Sequence, residues 1–590
     1  MRRVRVCPRI GVRRVGFGAM VLAASLLAGC TPGGEGAGDG ASATPAASPV
    51  ASVSATTLRV LAGSELADMG PVLEQAAEAT GVSVEFAYTG TLDGAEQVAS
   101  GEAVKSHDAT WFSSNRYLSL IPGGNERLVT SERTMSSPVV LGLLPQSASR
   151  LGWDKAAPTW AQIAKAAQEG QFTFGMTNPA ASNSGFSALV GVSTALAGGG
   201  AAIDPARINS VAPQLVGFFS GQRISAGSSK WLADTFIERA GAPVAEAGGA
   251  DSGGDTTGGT TTGGADSGRV DGLVNYESVL LGMSAQGVAG EPLTLVYPSD
   301  GVVSADYPLS LLEGTDAPKR EAFDALAGWL RTPEAQNLIQ TSTHRRPVVP
   351  GVQLSAEFGD RMLIELPFPA QRSAADALIS AYNNRLRRPA QMVYTLDVSG
   401  SMNAATGGGD GATRLDALKS AFGTLSGSTD STAEAHLTFN DRERVTIDSF
   451  NQSVSRVGRF DIPASGGDEV RTRISSAVGA LRAGGNTSVY DALMAAYTEA
   501  AAQQKANPQA VTSIVLMTDG ERTSGMTFEQ FRQAYQALPN AVQAVPTFPI
   551  VVGEADQSEM EQVAALTRGK AFDARTVTLT DVFKEIRGYQ

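Results

Sequence analysis

The sequence predicts an α/β protein with two folded regions. In each region, short apolar segments alternate with segments whose apolar residues recur at helical spacing, and this β-α-β order favours parallel sheets. A chain of 590 residues, of which 42% are hydrophobic and 18% charged, is long enough to bury several cores. We therefore expect α/β architecture in both regions.

The composition excludes several kinds of site. The chain has two cysteines and three histidines, which are Cys7, Cys30, His107, His344 and His436. These numbers rule out a disulfide scaffold, an iron–sulfur site and a cysteine-rich zinc site, so a metal site must use oxygen ligands. The net charge of −13 argues against nucleic-acid binding.

The first 29 residues are basic and then apolar, as in an export peptide. They contain six arginines and no acidic residue, and their apolar stretch is too short for a comfortable membrane span. The stretch ends in Leu-Ala-Gly before Cys30, which resembles the lipobox of bacterial lipoproteins. This resemblance implies cleavage before Cys30, an acyl (palmitate) anchor on it, and display on the outer face of the cell membrane. An ordinary signal peptide is the alternative, and Sec or twin-arginine export stays open.

Removal of residues 1–29 changes the charge of the chain. The mature part keeps 40 basic and 59 acidic residues, a net charge of −19. Residues 30–56 are mostly Gly, Ala, Ser, Thr and Pro, which cannot bury a core. We expect this segment to be a flexible linker with a span of roughly 28 Å.

The first folded region, residues 57–368, opens with a strand, a helical pattern and a second strand. Its motifs resemble those of two-lobed extracellular solute-binding proteins, and they occur in this order: Leu-Ala-Gly-Ser-Glu at 61–65, His-Asp-Ala-Thr-Trp-Phe at 107–112, Thr-Asn-Pro-Ala-Ala-Ser-Asn-Ser-Gly at 177–185, Asn-Tyr-Glu-Ser-Val at 275–279 and Tyr-Pro-Ser-Asp-Gly at 297–301. The resemblance implies a periplasmic-binding-protein fold of two lobes. Crossover strands near residues 137–144 and 293–297 would join the lobes, and a small ligand would bind between them.

Polar residues beyond the predicted strands are the candidates for the ligand cleft. They are Ser64, Thr89, Thr91, Ser113, Ser114, Ser182, Asn183, Ser184 and Tyr276. The alternative for each is ordinary turn or capping chemistry. At residues 183–185 we expect a helix amino terminus that faces the cleft. Arg345 and Arg346 form either a lobe-closing contact or a solvated pair.

Two further segments lie around the first region. Residues 248–268 are almost entirely Gly, Asp, Ser and Thr and contain Gly-Gly-Ala-Asp-Ser-Gly twice, so we expect a disordered insert. Residues 369–388 show an amphipathic pattern that predicts a connecting helix before Pro389.

The second folded region, residues 389–590, carries a dispersed set of oxygen-bearing residues. A buried-looking strand ends in Asp397, Ser399 and Ser401. Thr487 precedes a helical pattern, and Asp519 follows another apolar strand. Because parallel strands end at the same edge of a sheet, these five side chains are expected at one edge. The alternative is that the carboxylates cap turns while the hydroxyls bond to the backbone.

This arrangement resembles a von Willebrand factor type A (VWA) domain with its metal-ion-dependent adhesion site (MIDAS). The resemblance implies a doubly wound, Rossmann-like domain and a divalent cation, Mg²⁺ first with Mn²⁺ or Ca²⁺ as alternatives. Neutral hydroxyl ligands would leave the cation able to accept a carboxylate from a partner protein.

The two resemblances together predict a cell-surface, lipid-anchored binding protein. The alternative is the solute receptor of an ABC-type transport or sensing system. The sequence lacks the phosphate loop, the Gly-x-Ser-x-Gly elbow and the His-Glu-x-x-His motif. We therefore expect no enzyme activity.

Overall fold

The computed structural model describes most of the chain beyond the amino-terminal segment. The described residues are 55–240, 270–285, 291–406, 412–427, 438–553, 555–575 and 577–589. The predicted export peptide, nearly all of the linker, the predicted disordered insert and His436 lie outside them. Among the described residues, no helix combines the length and the apolar character needed to cross a membrane.

The first region contains eleven described strands. They are β1 (Thr56–Gly63), β2 (Val82–Thr89), β3 (Ala109–Trp111), β4 (Leu128–Arg133), β5 (Ser137–Leu143), β6 (Phe174–Thr177), β7 (Gln222–Ala226), β8 (Gly272–Tyr276), β9 (Thr294–Val296), β10 (Ser304–Ala305) and β11 (Pro308–Leu312). They form two sheets, with the orders β2-β1-β3-β11-β4 and β10-β5-β8-β6-β7, and β9 pairs with β5. These sheets are the centres of lobe 1 and lobe 2.

Helices connect the strands and cover the two sheets. They are α1 (Gly70–Thr80), α2 (Thr91–Ala99), α3 (Pro145–Leu151), α4 (Trp160–Gln168), α5 (Asn183–Leu196), α6 (Pro205–Ser220), α7 (Ser229–Ala240), α8 (Glu277–Ala285), α9 (Ala317–Leu330), α10 (Pro333–Thr343) and α11 (Arg372–Ala381). The expected two-lobed α/β fold is therefore present.

Between the strands of the two sheets, the chain crosses from lobe to lobe at two short segments, one from β4 to β5 and one from β10 to β11. It crosses a third time between α10 and α11. The expected crossover near 137–144 begins at the first of these. The one expected near 293–297 is wrong, because that segment forms β9 inside lobe 2. The first two crossovers are tied together: the carbonyl of Tyr307 accepts hydrogen bonds from the hydroxyl of Thr134 and the indole of Trp111. Tyr307 has a φ of 41° and is fully buried, so its neighbours hold a rare backbone conformation.

The connecting helix forms where the amphipathic pattern predicts it. Helix α11 buries Ala375, Leu378 and Ile379, and a π-helical turn at Tyr382–Leu386 continues it. This buried face packs against α5 and α6 of lobe 2. The segment is therefore part of the folded body.

The second region forms a six-stranded sheet with helices on both faces. Its strands are β12 (Ala390–Asp397), β13 (Arg444–Phe450), β14 (Val454–Asp461), β15 (Val511–Thr518), β16 (Thr547–Val551) and β17 (Phe572–Asp573). Its helices are α12 (Arg414–Leu425), α13 (Asp468–Gly479), α14 (Val489–Ala506), α15 (Phe528–Gln536), α16 (Asn540–Gln543), α17 (Gln557–Leu566) and α18 (Leu579–Arg587). The strand order is β14-β13-β12-β15-β16-β17, and β14 is antiparallel to its neighbour while the other pairs are parallel.

The central strands are buried on both faces, as their continuous apolar pattern predicts. Tyr394 and Met517 point to the face covered by α12, α13 and α18, whereas Val393 and Leu516 point to the face covered by α14 and α15. This two-sided burial is typical of parallel sheets in doubly wound folds. The predicted fold class of the second region is confirmed.

The second region packs directly on lobe 2. One apolar cluster runs from Leu232 and Phe236 of lobe 2 to Phe583 in α18. Beside it, buried Glu443 accepts hydrogen bonds from Arg387 (2.7 Å) and Arg587 (3.3 Å). Burial alone would raise the pKa of Glu443, but the two guanidinium groups hold it below its usual value. The junction therefore combines apolar packing with a buried ion triad.

We expect Glu443→Ala to destabilise the chain by about 3–5 kcal/mol, because it leaves two buried guanidinium groups without their carboxylate. For a domain of roughly 200 residues, this lowers the unfolding midpoint by about 10 °C, which differential scanning calorimetry measures. The control Glu529→Ala removes an exposed ion pair with Arg532 and should leave the midpoint unchanged. An equal decrease of the unfolding midpoint in both variants would contradict a stabilising role of the buried ion triad.

Candidate metal centre and ligand cleft

Four of the predicted metal residues meet at the carboxyl edge of the second region's sheet. Asp397 ends β12, and Asp519 follows β15, its parallel neighbour. The hydroxyl of Ser401 donates to Asp519 Oδ1 (2.7 Å) and lies 3.0 Å from the hydroxyl of Ser399. The sheet topology therefore brings residues more than a hundred positions apart into one hydrogen-bonded group.

Asp397 is fully buried. Its Oδ1 accepts from the backbone N–H of Ser399 and its Oδ2 from the hydroxyl of Thr518, both at 2.7 Å. Burial raises the pKa of Asp397 to about 6, and nearby Asp519 acts in the same direction, although the hydrogen bonds lower it. Turn capping thus accounts for one of its bonds, but Asp397 also faces a second carboxylate.

Thr487 reaches the same edge through its loop. The N–H of Gly400 donates to the carbonyl of Gly485 (3.0 Å), and that of Gly484 donates to the carbonyl of Val398 (2.8 Å). The loop therefore lies against the turn that carries the two serines. Thr487 is buried, and the hydroxyl of Thr523 accepts its backbone N–H (2.8 Å).

The donor set fits a hard divalent cation. It comprises the carboxylates of Asp397 and Asp519 and the hydroxyls of Ser399, Ser401 and Thr487, all oxygen ligands of the kind that Mg²⁺ prefers. Within the described residues, no group of three or more His, Cys, Asp or Glu side chains is suited to a metal. A cation held here would therefore depend on hydroxyl ligands for much of its coordination.

Arg414 is a neighbour of the site that sequence reasoning missed. Its Nη1 donates to Asp519 Oδ2 (2.9 Å), and its side chain is only 14% exposed. Gly553, with a φ of 60°, leaves room for it, since a Cβ there would lie 2.2 Å from Arg414 Cζ. Arg414 opens α12, 105 positions before Asp519, and no local pattern distinguishes it from an ordinary helix residue.

In the first region, lobe 1 brings two of the cleft candidates together. The hydroxyls of Thr91 and Ser113 lie 3.1 Å apart. Beside them, Glu65 folds back so closely that a Cβ on Gly63 would lie 2.6 Å from its carboxylate. Burial raises the pKa of Glu65, and its Oε1 is buried without a hydrogen-bond partner in the part of the chain described. Sequence reasoning did not select this residue.

Lobe 2 contributes the other side of the cleft. Helix α5 begins at Asn183, which confirms the expected helix start, and Asn183 Nδ2 donates to the hydroxyl of Tyr276 (3.0 Å). The hydroxyl of Ser184 lies 3.2 Å from that of Ser182. Gly185 is required sterically, since a Cβ there would lie 2.1 Å from the carbonyl oxygen of Thr177.

Three candidates lie apart from these pairs. Ser114 accepts the N–H of Arg116 (3.2 Å), which is the turn chemistry given as the alternative. Ser64 follows β1 and Thr89 ends β2, at the expected edge of the lobe 1 sheet. The structure gives neither residue a hydrogen bond to the other candidates described above.

The lobes are in contact across the cleft. Fully buried Arg345 donates to Asp68 (2.8 Å) in lobe 1, and Arg346 donates to Glu277 (2.7 Å) in lobe 2. The solvated-pair alternative for these arginines is therefore wrong. A Cβ on Gly90 would lie 2.4 Å from the carbonyl oxygen of Ala181, so the two sides of the cleft approach to van der Waals distance.

Two closed lobes with a polar cleft, followed by an α/β domain with an oxygen-only site, define a binding protein. A model of the bacterial extracellular solute-binding protein family matches residues 58–342. A model of the von Willebrand factor type A domain matches residues 392–521. The chain therefore combines a solute-binding-protein-like domain with a C-terminal VWA domain. No curated protein matches it.

Several solved structures are similar to parts of the chain. A VWA protein from Catenulispora acidiphila is 20% identical over 34% of this chain and 42% of its own length, with a TM-score of 0.26. The periplasmic binding protein AfuA from Actinobacillus pleuropneumoniae is 13% identical over 56% of this chain and 99% of its own, with a TM-score of 0.40. The ferric binding protein from Campylobacter jejuni is 12% identical over 55% and 96%, with a TM-score of 0.38.

We expect Arg414→Gln to raise the affinity of the C-terminal site for Mg²⁺ about fivefold, because it removes a positive charge next to Asp519 but keeps a hydrogen-bond donor. Calorimetric titration with MgCl₂ measures this change. Arg473→Gln, an exposed cation on α13, is the matched control and should leave the affinity unchanged. A lower affinity in Arg414→Gln would show that holding Asp519 in place matters more than the charge.

Proposed function

We propose that the chain is a lipid-anchored binding protein on the outer face of a bacterial membrane, and that its VWA domain binds a divalent cation, most favourably Mg²⁺, together with a carboxylate of a partner protein. The hydrogen-bonded group of Asp397, Ser399, Ser401 and Asp519 is the observation that supports this function most strongly. The lipid anchor at Cys30 rests on the lipobox-like sequence before it.

The charge of the metal site favours an anionic partner. Asp397 and Asp519 contribute two negative charges, and Arg414 contributes one positive charge at 2.9 Å from Asp519. These groups sum to −1, so the site with a divalent cation bound carries a net charge of about +1. An additional carboxylate from another protein would neutralise this charge and supply an oxygen ligand.

We expect Asp397→Asn to weaken Mg²⁺ binding at least about tenfold, because it removes one of the two carboxylate charges of the site. Calorimetric titration of metal-free protein with MgCl₂, MnCl₂ and CaCl₂ measures the affinity and ranks the metals. Asp468→Asn is a charge-matched control, since the Asp468 side chain is 96% exposed on α13. Equal Mg²⁺ affinity in the wild type and Asp397→Asn would overturn the metal site.

Binding of a partner protein is tested separately, by a capture experiment. Immobilised protein is incubated with an extract of extracytoplasmic proteins in Mg²⁺ or in EDTA, and captured proteins are identified. The proposal requires a protein that is retained in Mg²⁺ and lost both in EDTA and with Asp397→Asn, but kept with Asp468→Asn. If a partner is retained equally in EDTA and by the Asp397→Asn variant, the metal site has no role in partner binding.

A second candidate function is supported by the cleft. We propose that the solute-binding-like domain holds a small molecule between its lobes, as the receptor of an ABC-type transport or sensing system would. Among the described residues, the buried Oε1 of Glu65 has no hydrogen-bond partner, so it is available to a ligand. The adjacent residues Arg345 and Arg346 form ion pairs with lobe 1 and lobe 2, respectively. Hydroxyl groups on both sides supply further hydrogen bonds.

Native mass spectrometry tests the cleft. We expect protein purified without denaturation to carry a small bound molecule, and we expect its occupancy to fall strongly in the double variant Asn183→Ala, Tyr276→Phe, which removes the hydrogen-bonded pair of lobe 2. Ser119→Ala, on the exposed surface of lobe 1, is the control. A bound mass that survives equally in the double variant would place the ligand elsewhere.

A further inference from the structure

The carboxylate of Glu65 lies at the boundary between the two lobes. Glu65 follows β1, and its side chain folds back over Gly63, where a Cβ would lie 2.6 Å from both carboxylate oxygens. Glycine at position 63 therefore leaves the space that the carboxylate occupies. Lobe 2 is close to it, because burial raises the pKa of Tyr276 and the charge of Glu65 acts in the same direction.

Among the described residues, this carboxylate forms no ion pair. Its Oε1 is buried without a hydrogen-bond partner there, although Glu65 as a whole is partly exposed, so part of the side chain is open to solvent. Burial raises the pKa of Glu65, and Arg345 and the hydroxyl of Ser113 offset this only in part. An unpaired carboxylate in such a place costs free energy, which a bound cation would offset.

Arg345 is the neighbouring cation, and other groups hold its guanidinium. Its Nη1 donates to both carboxylate oxygens of Asp68 (2.9 and 2.8 Å), and its Nη2 donates to the backbone carbonyl of Glu65 (2.8 Å). The guanidinium also lies over the ring of Tyr307, 5.0 Å from the centroid. Two carboxylates and one guanidinium sum to a net charge of −1, so this group of side chains favours a cationic ligand.

A second carboxylate without an ion pair lies near the same part of lobe 1. The backbone N–H of Asp306 donates to the carbonyl of Ser113 (3.0 Å), and Asp306 Oδ1 is buried with no hydrogen-bond partner in the part of the chain described. Arg116, three positions after Ser113, is paired with Glu365 (2.9 Å). An anionic ligand would add to the unpaired negative charge here, so this wall of the cleft disfavours it.

Aromatic rings and hydroxyl groups complete the surroundings of Glu65. The rings of Tyr276 and Tyr307 are buried, with centroids 6.1 Å apart, and the hydroxyls of Thr91 and Ser113 lie 3.1 Å apart. A carboxylate beside ring surface and neutral oxygens suits an organic ammonium group, which donates up to three hydrogen bonds. A bare divalent cation prefers a larger set of oxygen ligands with several carboxylates.

We propose that the cleft selects small organic molecules that carry an ammonium group, and that Glu65 is the residue that pairs with this group. The inference rests on the proposed ligand-binding function of the cleft and specifies the class of its ligand. The ammonium group donates to Oε1 of Glu65, and closure of lobe 2 brings the ring of Tyr276 towards it. Glu65 is therefore a residue that determines specificity.

Three probes of similar shape and different charge test the ligand class: 2-phenylethylamine, 2-phenylethanol and 3-phenylpropanoate. Each is titrated calorimetrically into the purified protein in metal-free buffer, so that no probe binds through a cation at the VWA site. We expect 2-phenylethylamine to bind at least about tenfold more tightly than the other two, because it alone is a cation. Equal or tighter binding of the alcohol or the carboxylate, or the absence of 2-phenylethylamine binding, would overturn the inference.

The variant Glu65→Gln keeps the shape of the side chain and removes its charge. We expect it to weaken 2-phenylethylamine binding at least about tenfold. Glu78→Gln, at an exposed position on α1, removes the same charge from lobe 1 and should leave the affinity unchanged, as should Asp397→Asn in the VWA domain. An unchanged affinity in Glu65→Gln, or an equal decrease in Glu78→Gln or Asp397→Asn, would contradict the role of Glu65.

Native mass spectrometry separates the ligand class from the function of the cleft. A co-purified molecule that contains an amine and is lost in Glu65→Gln supports both. A molecule without a basic nitrogen that is lost in the double variant Asn183→Ala, Tyr276→Phe but kept in Glu65→Gln overturns the ammonium class and leaves the cleft function intact. A wild-type protein that carries no small molecule and binds none of the three probes contradicts both.

Discussion

The buried carboxylate of Glu443 fixes how the two domains meet. It joins Arg387 of the connecting segment to Arg587 of the last helix, and the carbonyl oxygen of Arg587 accepts a hydrogen bond from Asn178 of lobe 2 (3.3 Å). Apolar packing across the junction supplies most of the favourable energy, but it is non-directional. The buried ion triad is directional, and breaking it is costly.

The placement of the residues proposed to bind a metal could be predicted from the sequence, because it follows from local pattern and strand order. Asp397, Ser399 and Ser401 lie within five positions directly after an apolar run, so the strand end alone brings them together. The prediction for Asp519 needs one further assumption, which is that its strand is parallel to the strand that ends in Asp397. The structure meets this assumption, because β12 and β15 are parallel neighbours. The fold class follows from the same alternation of apolar segments.

The contacts that hold the lobes and domains together could not be predicted in this way. Arg345 binds Asp68 across 277 positions, and Arg414 binds Asp519 across 105. With 46 basic and 59 acidic residues, the sequence allows far too many such pairs to choose among. The crossover strand expected near residues 293–297 was wrong for a similar reason. Residues 293–297 have a strand pattern, but an apolar strand pattern does not state which sheet the strand joins.

One turn of lobe 2 belongs to both the cleft and the domain junction. The hydroxyl of Ser229, at the start of α7, bonds to Asn275 Oδ1 and to the hydroxyl of Ser184 in the cleft, both at 3.1 Å. Two residues further on, the ring of Trp231 contacts Tyr589 of the VWA domain at 4.3 Å. The turn also carries Gly227, and a Cβ on Gly588 would lie only 2.8 Å from its Cα. Packed surfaces this close cannot deform independently, so a shift of α7 at the cleft would have to be accommodated at the carboxyl end of the VWA domain.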